Sequence, residues 1–152
     1  MATQGIAADR ILFQDYAPHT AELSQGALLA RYHDVDLALD TFPYNGMSTT
    51  LDALWMGVPV VSYVGPRNLG RAGLSLLSNV GLPHLAVPTV DAYVEAAVRF
   101  SQDKPALAKL RAELRGRMQA SPLLDAAGFT RKLEAGFRDM WVEWCKRQGT
   151  VG

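Results

Sequence analysis

Ser48-Thr-Thr-Leu-Asp-Ala-Leu-Trp-Met-Gly57-Val-Pro-Val-Val-Ser-Tyr-Val64 is the stretch that decides the fold. Three hydroxyl residues can open a helix that runs to about Met56. Gly57 ends it, and Pro59 prevents its continuation. The six residues from Pro59 to Val64 are β-branched and nearly continuously apolar, the pattern of a parallel strand covered on both faces. A helix followed at once by such a strand predicts an alternating α/β chain.

The same alternation extends outward in both directions. Upstream, Ile11-Leu12-Phe13 predicts a short strand with a turn after it at Ala17-Pro18. Leu23, Ala27, Leu28 and Tyr32 then recur at helical spacing, and Val35 to Leu39 reads as a second strand, with Asp36 as a polar intrusion near its end or at an edge. Downstream, a Gly-rich loop (Gly65 to Gly70) leads to a helix through about Asn79 and a weak strand near His84 to Val87. Thr89 suits the cap of the next helix, whose first turn holds Asp91. The order β-α-β-α-β-α-β-α predicts a doubly wound, mostly parallel sheet over residues 1–103.

From Asp103 onward the strand pattern stops. Pro105 suits a helix start, and Leu107, Leu110, Leu114 and Met118 form one apolar stripe before Ser121-Pro122 breaks it. Phe129, Leu133, Phe137, Met140 or Trp141, and Trp144 form another. Residues 104–152 are therefore expected to be a helical appendix packed on the α/β part as one structural unit. Two large apolar stripes on so short a tail leave room for one of them to pack elsewhere.

Composition narrows the function classes. The chain has 152 residues, near the commonest domain size, with 49% hydrophobic and 20% charged residues, which is globular. Fifteen basic and fifteen acidic side chains cancel, so nothing points to bulk attraction to nucleic acid or an anionic membrane. The balance hides an asymmetry: residues 1–103 carry ten acidic and five basic side chains, and residues 104–152 the reverse. Such a basic tail suits a solvated helical surface, or one that faces a partner domain. A lone cysteine, Cys145, excludes an internal disulfide and a multi-cysteine metal site. No secretory leader or membrane-length apolar run is present, so a cytoplasmic protein is expected.

In a sheet of this kind, ligands bind beyond the carboxyl ends of the strands. Three loops lead from such ends to helix starts: residues 14–20, 41–48 and 65–70. In the second, Asn45-Gly46-Met47 precedes Ser48 and Thr49. Free amides and the helix dipole there favour an anion, hydroxyls can add donors to phosphate, and Asp52 one turn on can accept from ribose hydroxyls. Plain capping accounts for the same residues, so the local pattern leaves both readings open. The third loop has the spacing of a phosphate loop but Arg71 and Ala72 in place of its lysine and hydroxyl, which excludes a nucleoside triphosphatase. Arg71 can still touch a phosphate, although an ordinary ion pair is the commoner fate of such a residue. No GxGxxG follows a strand, and His19, His33 and His84 are not at ligand spacing. A receiver-like signalling domain is excluded too, because Asp15 stands alone and no lysine precedes Lys104.

Leu39-Asp-Thr-Phe-Pro-Tyr-Asn-Gly-Met-Ser-Thr-Thr-Leu-Asp-Ala-Leu-Trp-Met-Gly-Val-Pro-Val-Val61 closely resembles the nucleotide-sugar motif of the O-linked N-acetylglucosamine transferase and SPINDLY-like glycosyltransferases, in their bacterial form. Arg10-Ile-Leu-Phe13, Gly65 through Ser75, Ser121-Pro-Leu and Met140-Trp141 support the likeness, which spans about residues 5–145. The resemblance implies the C-terminal, donor-holding lobe of an inverting GT-B enzyme, built from two Rossmann-like lobes and transferring a sugar such as GlcNAc from a UDP- or GDP-sugar to protein Ser or Thr. It places Ala17 and His19 in the base and ribose loop, Met47, Ser48 and Thr49 on the diphosphate, and Asp52 on the ribose. It implies no metal and no further cofactor. His19 and Met47 depart from the lysine and histidine of the animal enzymes, which bears on the identity of the sugar and base.

The resemblance also implies partners outside this sequence: an N-terminal catalytic lobe, tetratricopeptide repeats and a protein acceptor. Half of an interlobe cleft positions only half of a reaction, so the isolated lobe is expected to bind donor without transferring it, with no catalytic residue of its own. Exposed apolar surface would favour self-association. The alternative is a non-catalytic module of the same fold that senses nucleotide or holds a protein partner.

Overall fold

The computed structural model describes residues 5–13 and 25–149. Three parallel strands form an open sheet in the order β1-β2-β3: β1 (Ala38–Leu39), β2 (Val60–Tyr63) and β3 (Ala86–Val87). Before, between and after them lie α1 (Gln25–Ala30), α2 (Ser48–Trp55), α3 (Ala72–Asn79), α4 (Val90–Gln102), α5 (Lys104–Gln119) and α6 (Ala126–Gly149). The fold is the expected α/β class.

The central strand behaves as its composition requires. Val60, Val61 and Ser62 are all buried, although successive residues of a strand point to opposite faces. Both faces of β2 are therefore covered. Gly57 makes the connection possible: its φ of 80° ends α2, and a Cβ there would stand 3.0 Å from the Arg111 carbonyl oxygen of α5. Ala53, Leu54, Val58 and Val60 then pack with Leu77, Leu82 and Leu85 in one core, which α5 closes with Leu114 and Met118.

Helix boundaries follow the predicted signals. Thr89 caps α4 by accepting from the Ala92 amide at 3.1 Å, and Asp103 caps α5 by accepting from Ala106 at 3.1 Å. The upstream strands differ from expectation. Ile11-Leu12-Phe13 forms no strand, and Leu12 and Phe13 are 86% and 88% exposed, so nothing pairs with or covers them among the described residues. Val35 and Asp36 precede β1 instead of belonging to it. Asp36 lies 3.8 Å from Arg111, and the Val35 carbonyl accepts a bond from the same guanidinium. The segment is drawn outward by α5 before the ladder begins.

The two tail helices differ sharply. α5 packs on α2 and α4 and buries Leu107, Leu114 and Met118. Its Arg115 donates to the Trp55 carbonyl at 3.0 Å and stacks over the Trp55 ring at 4.8 Å, placing a cation at the C-terminal end of α2. Part of the basic excess in the tail thus serves the α/β part directly. α6 buries only Gly128. No helix among the described residues is long and apolar enough to cross a membrane.

Candidate functional site

The loop from β1 to α2 is built around Asp40, a residue that sequence reasoning did not single out. Its side chain is buried, and both carboxylate oxygens are used: one accepts from the Gly46 amide at 2.8 Å, the other from the Ser62 hydroxyl at 2.6 Å. A buried carboxylate is costly unless its oxygens are satisfied, so these bonds fix where the loop must return. Gly73 of α3 comes so close that a Cβ there would collide with the Ser62 hydroxyl and stand 2.8 Å from Asp40 Oδ2.

Asn45, buried at the loop's far end, completes the frame. Its amide nitrogen in the main chain donates to Leu69 at 3.0 Å, its side chain donates to the Thr41 carbonyl at 3.1 Å, and its side-chain oxygen accepts from the Gly73 amide at 3.4 Å. From α4, Tyr93 donates to the Asp40 carbonyl at 2.9 Å, and Phe42 meets Tyr63 and Tyr93 edge-on at 5.3 and 5.8 Å. Burial, then the Asp40 carboxylate, holds the Tyr93 phenol above its usual pKa of 10.0. The Phe42–Pro43 peptide is cis.

The Gly-rich loop of residues 65–70 belongs to this frame. Gly65 donates to the Gly70 carbonyl at 2.8 Å, and a Cβ on Gly70 would press on Gly65 Cα at 3.1 Å and the Pro43 carbonyl at 3.3 Å. These glycines let two backbones meet.

The frame delivers the start of α2 to the surface. Met47 is the N-cap and makes no side-chain capping bond, so Ser48 and Thr49 lie within the first turn with their side chains exposed. The first intrahelical bond is from Leu51 N–H to the Met47 carbonyl at 3.0 Å. Helix geometry leaves the amides of Ser48, Thr49 and Thr50 without an acceptor inside the helix. A Cβ on Gly46 would strike the Thr49 hydroxyl, so the turn before the helix needs its glycine.

One turn on, Asp52 lines a cavity of about 660 Å³ together with Thr49, Tyr32, Val35, Leu28 and Leu29. Tyr32 ties the wall to the helix start by donating to the Thr49 carbonyl at 3.1 Å. Burial and, second, the Asp52 carboxylate raise its pKa above 10.0, so the phenol keeps its proton. On the other side of the helix start, Tyr44, Asn45 and Met47 line a smaller cavity of about 240 Å³ with Asn68 and Leu69 of the next loop.

Of the residues expected to act together, Asn45, Gly46, Met47, Ser48, Thr49 and Asp52 are therefore gathered around one helix start. Arg71 caps α3 with its own backbone and is exposed at the end of the neighbouring loop. Ala17 and His19 lie outside the described residues. Tyr32 and Asp40 are the additions. Neither has a local signature, because their partners lie 17 and 22 residues away in sequence.

The model of glycosyl transferase family 41 matches residues 1–133. The chain belongs to that family. Among family 41 relatives, it is 45% identical over 114 residues to a probable UDP-N-acetylglucosamine–peptide N-acetylglucosaminyltransferase SPINDLY of Solanum lycopersicum, covering 75% of this chain and 12% of that protein. A probable transferase of the same description named SEC, from Arabidopsis thaliana, is 33% identical over 148 residues, 97% of this chain and 14% of that protein. Among solved structures, a mutant O-GlcNAc transferase of Thermobaculum terrenum superimposes with a TM-score of 0.76 at 43% identity, covering 82% of this chain and 24% of that one. The chain thus spans about an eighth of the length of the SPINDLY relatives and a quarter of the solved transferase.

Proposed function

We propose that this chain is the donor-binding lobe of a family 41 glycosyltransferase of GT-B design, holding a nucleoside diphosphate sugar at the start of α2. The observation that carries the reading is the exposed first turn of that helix, where amides of Ser48, Thr49 and Thr50 lack intrahelical acceptors and no side chain caps them. Amides at a helix start suit a diphosphate, and the hydroxyls of Ser48 and Thr49 add donors beside them. The Asp52 side chain, in the wall of the adjoining cavity, suits ribose hydroxyls. The cavity's Leu28, Leu29 and Val35 suit the flat faces of a base.

In a complete enzyme this lobe would stabilise the departing diphosphate as negative charge develops on its oxygens, the helix amides serving where other enzymes use a metal. The sugar, released from the nucleotide, would pass to a Ser or Thr hydroxyl of a protein held by a second lobe. Alone, the lobe binds donor and transfers nothing, because the acceptor is not positioned.

Calorimetry with UDP, UDP-GlcNAc, GDP and GDP-fucose tests the reading. Saturable binding of one nucleotide pair, unchanged by a chelator, is the expected result. No heat with any of them at millimolar concentration would leave a family 41 fold that serves only to hold a partner.

A further inference from the structure

Tyr32 stands between two parts of the site. It lies in the short 3-10 helix Arg31–Asp34 that follows α1, and its half-buried ring packs against the core. On one side it lines the cavity of about 660 Å³ together with Leu28, Leu29 and Asp52. On the other it lines a space of about 130 Å³ with Asp40, Gly46, Thr49 and Thr50, which belong to the loop frame and the first turn of α2.

The hydroxyl meets the helix at a telling atom. It donates to the Thr49 carbonyl at 3.1 Å. Helix geometry already gives that carbonyl the amide four residues on, from Ala53, so the Tyr32 bond is a second one to the same oxygen. The oxygen belongs to the peptide unit whose nitrogen is the Thr50 amide, one of the helix-start amides that have no acceptor inside α2. Donation to one end of a conjugated peptide draws electron density toward its oxygen and makes its N–H a stronger donor. The phenol thus acts on a group facing the diphosphate without touching phosphate itself. It stays a donor at neutral pH, because burial and, second, the Asp52 carboxylate raise its pKa above 10.0.

The ring serves the nucleoside end, where with Leu28 and Leu29 it walls the cavity proposed for ribose and base. One side chain therefore spans both halves of a nucleoside diphosphate. Packing alone would be served by phenylalanine, since the Thr49 carbonyl is satisfied without the hydroxyl.

We propose that Tyr32 is a positioning residue for the donor, its hydroxyl strengthening the Thr50 amide at the diphosphate and its ring placing the nucleoside. This rests on the donor reading of the α2 start.

Calorimetry of the 152-residue chain with UDP and with inorganic pyrophosphate tests it. Tyr32→Phe removes the hydroxyl and keeps the ring. It is expected to weaken both ligands by the same factor, about three- to tenfold, because the loss falls on the diphosphate they share. The Thr50 amide proton of the free variant should also move upfield in the nitrogen–proton NMR spectrum, a signature of weaker polarisation that altered packing does not single out. Tyr32→Leu removes the ring as well, and should weaken UDP by about a further tenfold and pyrophosphate no further. Should Tyr32→Leu fail to fold, Tyr32→Phe alone decides the role of the hydroxyl. A folded Tyr32→Phe chain that binds both ligands as the unmodified chain does overturns the proposal while the donor reading stands. So does a loss confined to UDP, since the hydroxyl would then not act at the diphosphate. A folded Tyr32→Leu chain that loses no more UDP affinity than Tyr32→Phe overturns the part assigned to the ring. An unmodified chain that binds neither ligand removes the donor reading itself, and this proposal with it.

Discussion

Ser48 and Thr49 lie inside the first turn of α2 behind a methionine cap, so their hydroxyls are not consumed in closing the helix. Replacing both with alanine is expected to weaken UDP binding by about 1–3 kcal/mol, the scale of hydrogen bonds to charged oxygens, with the melting temperature little changed. Calorimetry on the double variant checks it; equal affinity would remove the phosphate role. Asp40 acts differently, through the loop it holds. Asp40→Ala strands the Gly46 amide and the buried Ser62 hydroxyl, and a loss of about 2–4 kcal/mol of stability by urea unfolding is expected from two such groups. Tyr32 offers a spectroscopic handle. Its folded pKa is raised above 10.0, so its contribution to stability is complete below pH 10 and declines as pH rises through the folded value. In Asp52→Asn the ultraviolet titration of Tyr32 should move down only part of the way, because burial is the larger cause and Asp52 the smaller.

Among the elements, those whose cause is local were legible from the sequence. The α2 start, its stop at Gly57, the buried strand Val60–Tyr63 and the Thr89 cap each depend on neighbours within a few residues, and each stands where the pattern put it. Ile11–Phe13 has the composition of a strand and forms none, since a strand exists only where a second edge pairs with it. Asp40, Tyr32 and Tyr93 were illegible for the same reason: a carboxylate, a helical tyrosine and another tyrosine become a loop frame only once the sheet brings them together. The tail shows both cases. The α5 stripe found its core, and Leu114, fully buried there, should cost about 2–5 kcal/mol when cut to alanine, measured by denaturant midpoint. The α6 stripe was equally legible as amphipathic, and the fold leaves it bare among the described residues.

At the scale of the whole molecule, the chain is one compact α/β core with the start of α2 at one surface and an uncovered helix at another. The family 41 match spans residues 1–133, the part of the chain that holds the core and its loop frame. A crystal grown with UDP addresses the central claim directly. The account predicts diphosphate density within hydrogen-bond distance of the Ser48, Thr49 and Thr50 amides, with the ribose against Asp52. Nucleotide bound elsewhere on the chain, with those amides left to solvent, would contradict it.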